Sequence, residues 1–157
     1  MPPRRMKPLA LRRLTPAERA LSSEMFGPAL RPDRVRLFAL PIWRRAFAPS
    51  GWLIVWPALA APCDFGEEPV AVQGMFVHEL THVWQAQHGV CLPLAKLRAG
   101  DSAQSYRYDL AAGPEFTALN IEQQAMVVEH AFLSRRGHTA PHPPELYAAI
   151  SRSWQAG

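Results

Sequence analysis

The sequence predicts an α+β fold, mainly helical, with a small sheet in its front half. Residues 69–88 and 115–136 carry apolar residues at helical spacing, and each stretch closes on a glycine, Gly89 and Gly137. Residues 34–40 and 51–57 instead show strand signatures. Sixteen prolines in 157 residues imply that much of the remainder is turn and loop.

Taken in order, residues 1–14 read as a basic flexible arm and residues 15–157 as a single domain. "TPAERALSSEMFG" (15–27) predicts a short helix, with Thr15 as cap, Pro16 at the first position and Gly27 as stop. "RVRLFAL" alternates charged and apolar residues at strand period. "GWLIVWP" is β-branched and aromatic and ends at Pro57, which predicts a second strand at a sheet edge. A loop covers 58–69, and a helix follows from about Pro69 to His88. Residues 91–114 are turn-rich and mixed, and "YRYDL" within them looks strand-like. The next helix starts at Glu115 or Asn120, and Arg135 and Arg136 suit its negative end. "ELYAAISRSWQ" (145–155) predicts a last amphipathic helix.

The composition is that of an ordinary globular chain, 48% hydrophobic and 19% charged. The net charge of +4 is unevenly distributed. Residues 1–45 hold eleven Lys/Arg against Glu18, Glu24 and Asp33, a balance of +8; the remainder holds six against ten, or −4. A basic front half can meet an acidic partner or nucleic acid, although no nucleic-acid motif accompanies it and a solvated basic arm is the simpler reading. Cys63 and Cys91 make no disulfide framework and read as buried free thiols. The start lacks an apolar stretch of signal-peptide length, and "GWLIVWPALAAP" is too short to span a bilayer. The expectation is a cytoplasmic protein without a membrane span, with delivery by a signal-peptide-independent secretion system as the other route.

"VHELTHVWQ" (77–85) raises a chemical question. His78 and His82 are four apart, about 40° of helical rotation, so both imidazoles project from one face. Glu79 stands beside them, next to apolar Val77, Leu80 and Val83. Burying such groups is costly unless something pairs with them, and Zn²⁺ would do so. This is the HExxH arrangement, in which two histidines bind the metal and the glutamate takes a proton from a zinc-activated water that attacks a peptide carbonyl.

A catalytic zinc needs a third protein ligand. One route uses His88, in the pattern HExxHxxGxxH. The glycine that would turn the chain back is Gln85, however, so the helix continues and His88 points about 120° from His82. The other route is a glutamate from the second long helix. Glu122 and Glu129 are seven apart on one face, with small Ala125 between them and Glu115 extending the stripe. Glu122 is the expected ligand, and Glu129 a partner to a histidine or an alternative ligand. His130 points off that face. His138 and His142, in a Pro-rich loop, read as surface residues. A phenol can donate to an oxyanion, and between Tyr106 and Tyr108 the choice is Tyr108.

"HELTHVWQ", followed by "YRYDL", "AAGPEFTALN" and "IEQQA", resembles the Vgr-related proteins, short bacterial proteins labelled as Rhs/Vgr elements. It also resembles a wider group of minimal HExxH-plus-Glu metallopeptidases of gluzincin type. The likeness covers about residues 34–135. It implies a zincin-like core with two metal-site helices, zinc on His78, His82 and Glu122, and Glu79 as general base.

The expected activity is zinc-dependent hydrolysis of a peptide or protein substrate. A substrate strand would lie along "GWLIVWP", with Trp52 and Trp56 flanking the cleft or lying in the core. Two alternatives stand beside it: a non-catalytic metal-binding accessory module of a secretion system, and a DNA-associated protease recruited through the basic front.

Overall fold

The computed structural model describes residues 3–156; Met1, Pro2 and Gly157 lie outside the described residues. Four strands, β1 (Leu11–Arg13), β2 (Arg36–Leu40), β3 (Phe47–Ser50) and β4 (Leu53–Pro57), form one sheet in the order β1-β2-β4-β3. β1 runs antiparallel to β2, β2 parallel to β4, and β3 antiparallel to β4. The helices are α1 (Pro16–Phe26), α2 (Val70–Gln87), α3 (Leu92–Ala99), α4 (Ala103–Tyr106), α5 (Ile121–Arg135) and α6 (Pro144–Gln155).

The sheet corrects two expectations. β4 is internal, with β2 on one side and β3 on the other, and Ile54, Val55 and Trp56 are buried. Pro57 is tolerated because it is the strand's last residue, where a missing N–H costs least. The edge is β3, whose Pro49 and short length hide it from a pattern search. The other edge is β1, drawn from the segment expected to be a flexible arm.

That segment is docked. Met6 is 6% exposed, and the backbone of Arg5 bridges to Pro62. Arg12 donates twice to Glu18, at 2.7 and 2.8 Å, and Arg5 pairs with Glu68 at 2.7 Å. Glu18 is fully buried and also accepts from the backbone N–H groups of Thr15 and Phe65, so each of its oxygens is engaged. The Thr15–Glu18 pair is a capping box, and α1 begins where its sequence signals place it.

The core fills the space between sheet and helices: Leu37, Ile54 and Trp56 from the strands, Met25 and Phe26 from α1, and Phe76, Val77, Leu80 and Val83 from α2. Phe65 stacks on Phe76 with centroids 4.4 Å apart and meets Trp56 edge-on at 4.5 Å. Trp154 of α6 is wholly buried and donates to the carbonyl of Met25 at 2.8 Å.

Two small residues set the approach of α2 to α5. Ala125 is fully buried on α5. On α2, a Cβ at Gly74 would lie 3.0 Å from Leu133 and 3.6 Å from Glu129. α5 starts at the Asn120 cap, whose capping-box partner is Gln123; α2 ends with His88 as C-cap, and Gly89 follows at φ 90°.

Candidate metal centre

α2 contributes His78, Glu79 and His82, and α5 contributes Glu122 near its first turn. One ligand atom each from His78, His82 and Glu122 lies within 4.8 Å of the others. Glu122 Oε2 is 3.3 Å from His78 Nε2 and 3.4 Å from His82 Nε2. These are the three residues expected from sequence, brought together by the α2–α5 packing.

The hydrogen bonds behind the ring nitrogens decide what the imidazoles present. A carboxylate only accepts, so His78 Nδ1–H donates to Glu129 Oε2 at 2.9 Å. Gln85 Nε2 donates to the carbonyl of Ile121 and to Gln124 Oε1, both at 2.9 Å. Its Oε1 is thereby turned to His82 and accepts from Nδ1–H at 2.8 Å. Both histidines therefore direct Nε2 toward Glu122, the arrangement in which ligating imidazoles are held. Glu129 thus bonds a histidine, one of the two places expected for it. Gln85, which excludes His88 from the metal, supports His82 instead.

Glu122 divides its oxygens. Oε2 faces the imidazoles, and Oε1 accepts from Lys96 Nζ of α3 at 2.7 Å. Burial pushes its carboxyl up, but His78, His82 and Lys96 together hold it well below the usual carboxylate range. Burial disfavours the His78 imidazolium, yet the hydrogen bonds to Glu122 and Glu129 and the charge of Glu79 raise its pKa to about 10. Burial pushes the Glu79 carboxyl up, against the pull of His82 and His78.

Glu79 Oε2 is buried and has no hydrogen-bond partner. Leaving a carboxylate oxygen orphaned costs free energy unless a water or ion meets it in use. Glu79 lines a cavity of about 350 Å³ together with His78, His82, Glu122 and Lys96. The other wall is apolar, with Trp43 and Phe47 facing Leu92 and Pro93. The donor set, two imidazole nitrogens and one carboxylate beside an unpartnered carboxylate oxygen, fits a zinc ion with an open position.

Other expectations fall elsewhere. Tyr108 does not line the cavity; its hydroxyl bonds His130 Nδ1 at 2.6 Å and Tyr147 at 2.7 Å, which ties the segment before Leu110 to α5 and α6. Burial, with Tyr147, pushes its phenol far up. Tyr106, which ends α4 rather than lying on a strand, is the phenol nearer the site, 3.0 Å from Lys96 Nζ. His142 is half-buried against Tyr108 and Tyr147 rather than free at the surface. His130 points off the metal face, as expected, and His88 is exposed and bonds the Trp84 carbonyl. Glu115 is exposed and precedes α5, so it does not extend the acidic stripe. Trp56 is core and Trp52 is exposed; neither lines the cavity. Cys63 is half-buried and Cys91 exposed, both free thiols.

Lys96 and Trp43 were not anticipated. Lys96 lies in the stretch without clear periodicity, and Trp43 in a loop, so only tertiary packing reveals either.

No protein-family model matches the chain. It is 30% identical over 156 residues to the type VI secretion system spike protein VgrG2b of Pseudomonas aeruginosa. That match covers 93% of this chain and 15% of the spike protein, so the chain spans a small part of that relative's length. Among solved structures it resembles the effector domain of P. aeruginosa VgrG2b, with a TM-score of 0.70 and 32% identity over 94% of this chain and 83% of that one. Sequence and fold agree over nearly the whole length, and the chain belongs to the family of the VgrG2b effector domain.

Proposed function

We propose that this chain is an effector module of type VI secretion whose working part is a zinc site in a zincin-like core, and that the site hydrolyses peptide bonds. The effector half of this reading rests on the VgrG2b relatives. The hydrolytic half rests on one observation: Glu79, whose buried Oε2 has no hydrogen-bond partner, lines the cavity that holds His78, His82 and Glu122. A site built only to hold a cation has no use for that carboxylate.

When bound, zinc supplies Lewis acidity toward a carbonyl oxygen and lowers the pKa of a water. His78 and His82 would hold it through Nε2 and Glu122 through Oε2. Glu79 would accept a proton of the attacking water, and a carboxyl raised by burial would then retain that proton for the departing amine. A substrate strand would add to the unpaired side of β3, the edge that lines the cavity, rather than to β4. Trp43 and Phe47 exclude water from that side.

A second reading has its own support. Without a cation Glu122 is still held, by Lys96 and by His78. A secretion-associated module that holds a metal without turnover would look the same at those three residues. Nucleic-acid recruitment is weakened because Arg5 and Arg12 are spent on Glu68 and Glu18.

The test pairs zinc analysis with Glu79→Gln and an unfolded polypeptide substrate. The expected result is about one zinc per chain in both proteins. Turnover in the variant should fall by roughly 10²–10⁴-fold. Zinc bound by both proteins with no cleavage by either would favour the non-catalytic module.

A further inference from the structure

Among the described residues, Lys96 is the one cation in contact with the proposed metal ligands, and its bonds are specific. Its ammonium has three N–H donors. They meet Glu122 Oε1 at 2.7 Å, the Tyr106 hydroxyl at 3.0 Å and Asp101 Oδ1 at 3.4 Å. No donor is left to receive a substrate carboxylate, so its place in the cavity wall is not that of an anion receptor. Arg45 steadies the far side of the cluster, bonding both Asp101 oxygens at 3.1 Å and also the Tyr106 hydroxyl.

The consequence falls on Glu122. A glutamate can offer a metal one oxygen or two. Here Oε1 is committed to Lys96, and only Oε2 faces the two Nε2 atoms. A catalytic zinc with three single-atom protein ligands keeps a position for water and expands to five-coordinate as the substrate carbonyl joins. A second glutamate oxygen would occupy the position that expansion needs.

We propose that Lys96 is a positioning residue that confines Glu122 to one oxygen on the metal, keeping a coordination position open for water and the substrate carbonyl. The inference rests on the zinc reading above. It assigns a role to α3, a helix that otherwise contributes only wall to the cavity. The charge on Lys96 matters less than its hydrogen bond: it need only keep Oε1 turned away.

The test loads the full chain with Co²⁺, whose visible d–d bands distinguish four- from five-coordination, and compares the unmutated protein with Lys96→Met and Lys96→Arg. The unmutated chain should give the strong bands of a four-coordinate ion. Lys96→Met should still bind Co²⁺, but with weakened, shifted bands and one more oxygen neighbour by X-ray absorption. Lys96→Arg, which can still donate to Oε1, should restore the original spectrum. Superimposable spectra for the unmutated chain and Lys96→Met would overturn the role, as would a Lys96→Arg spectrum no closer to the original. Should Lys96→Met lose its circular-dichroism melt, Lys96→Leu, which also cannot donate to Oε1, takes its place and is judged by the same bands. No Co²⁺ uptake by the unmutated chain would sink the metal reading itself, and the lysine's role with it, which separates the two failures.

Discussion

Gln85 Oε1 accepts from His82 Nδ1 at 2.8 Å, while the same amide donates to the backbone of Ile121, the residue before Glu122. One side chain thus sets the tautomer of a candidate metal-ligand histidine and pins the start of the helix that carries Glu122. Gln85→Leu should lower zinc affinity by about 10- to 100-fold, read by competition with a chelating dye. His88→Ala should leave it unchanged, because that ring is exposed and bonded to the Trp84 carbonyl. Equal affinities for all three proteins would remove Gln85 from the site.

In the metal-free protein a proton on His78 stands in for the cation. Its pKa is raised to about 10, above the ordinary 6.5, so its contribution to stability is fully present below 6.5 and is lost as pH rises toward 10. The metal-free chain should therefore lose melting temperature across that window, and His78→Gln should flatten the loss. Zinc must displace this proton. Titration calorimetry near pH 8, in buffers of different ionisation enthalpy, should show release of about one proton per zinc. Zero release would mean that His78 is already neutral.

Tyr108 is bonded to His130 and Tyr147 rather than directed into the cavity. Tyr108→Phe should cost about 1 kcal/mol of stability, a lost hydrogen bond with partners left behind. Zinc affinity and any turnover should stay within twofold of the unmutated protein, about the experimental scatter. A tenfold fall in turnover at unchanged stability would restore the catalytic assignment.

Trp154 joins α6 to α1 through the Met25 carbonyl and packs on Phe116. Trp154→Ala should destabilise the fold by about 3–5 kcal/mol in urea unfolding, since no exposed position is available to the ring. Zinc affinity measured well below the unfolding midpoint should be little affected.

What could be read from sequence follows from what each signal encodes. α1 and α5 carry side-chain caps, a glycine closes α1 and follows the ends of α2 and α5, and the candidate ligands His78 and His82 stand four apart on one helix, a spacing fixed by geometry. The edge was misplaced because "GWLIVWP" states only that it is a good strand. Which neighbours it finds depends on "FAPS", which has no strand pattern of its own. β1 was missed because Arg12 and Arg13 look like solvated charge, and nothing local says that Glu18 awaits one of them. Lys96 and Tyr106 are set by long-range approach, which periodicity does not record.

Because Arg12 neutralises a carboxylate that also anchors the turn at Phe65, trimming away the basic leading segment is the wrong way to ask whether that segment attracts polyanions. Such a deletion would leave an unpaired anion inside the protein and confuse unfolding with lost affinity. Charge reversal at exposed Lys7 and Arg13 alters the surface field while sparing that anchor.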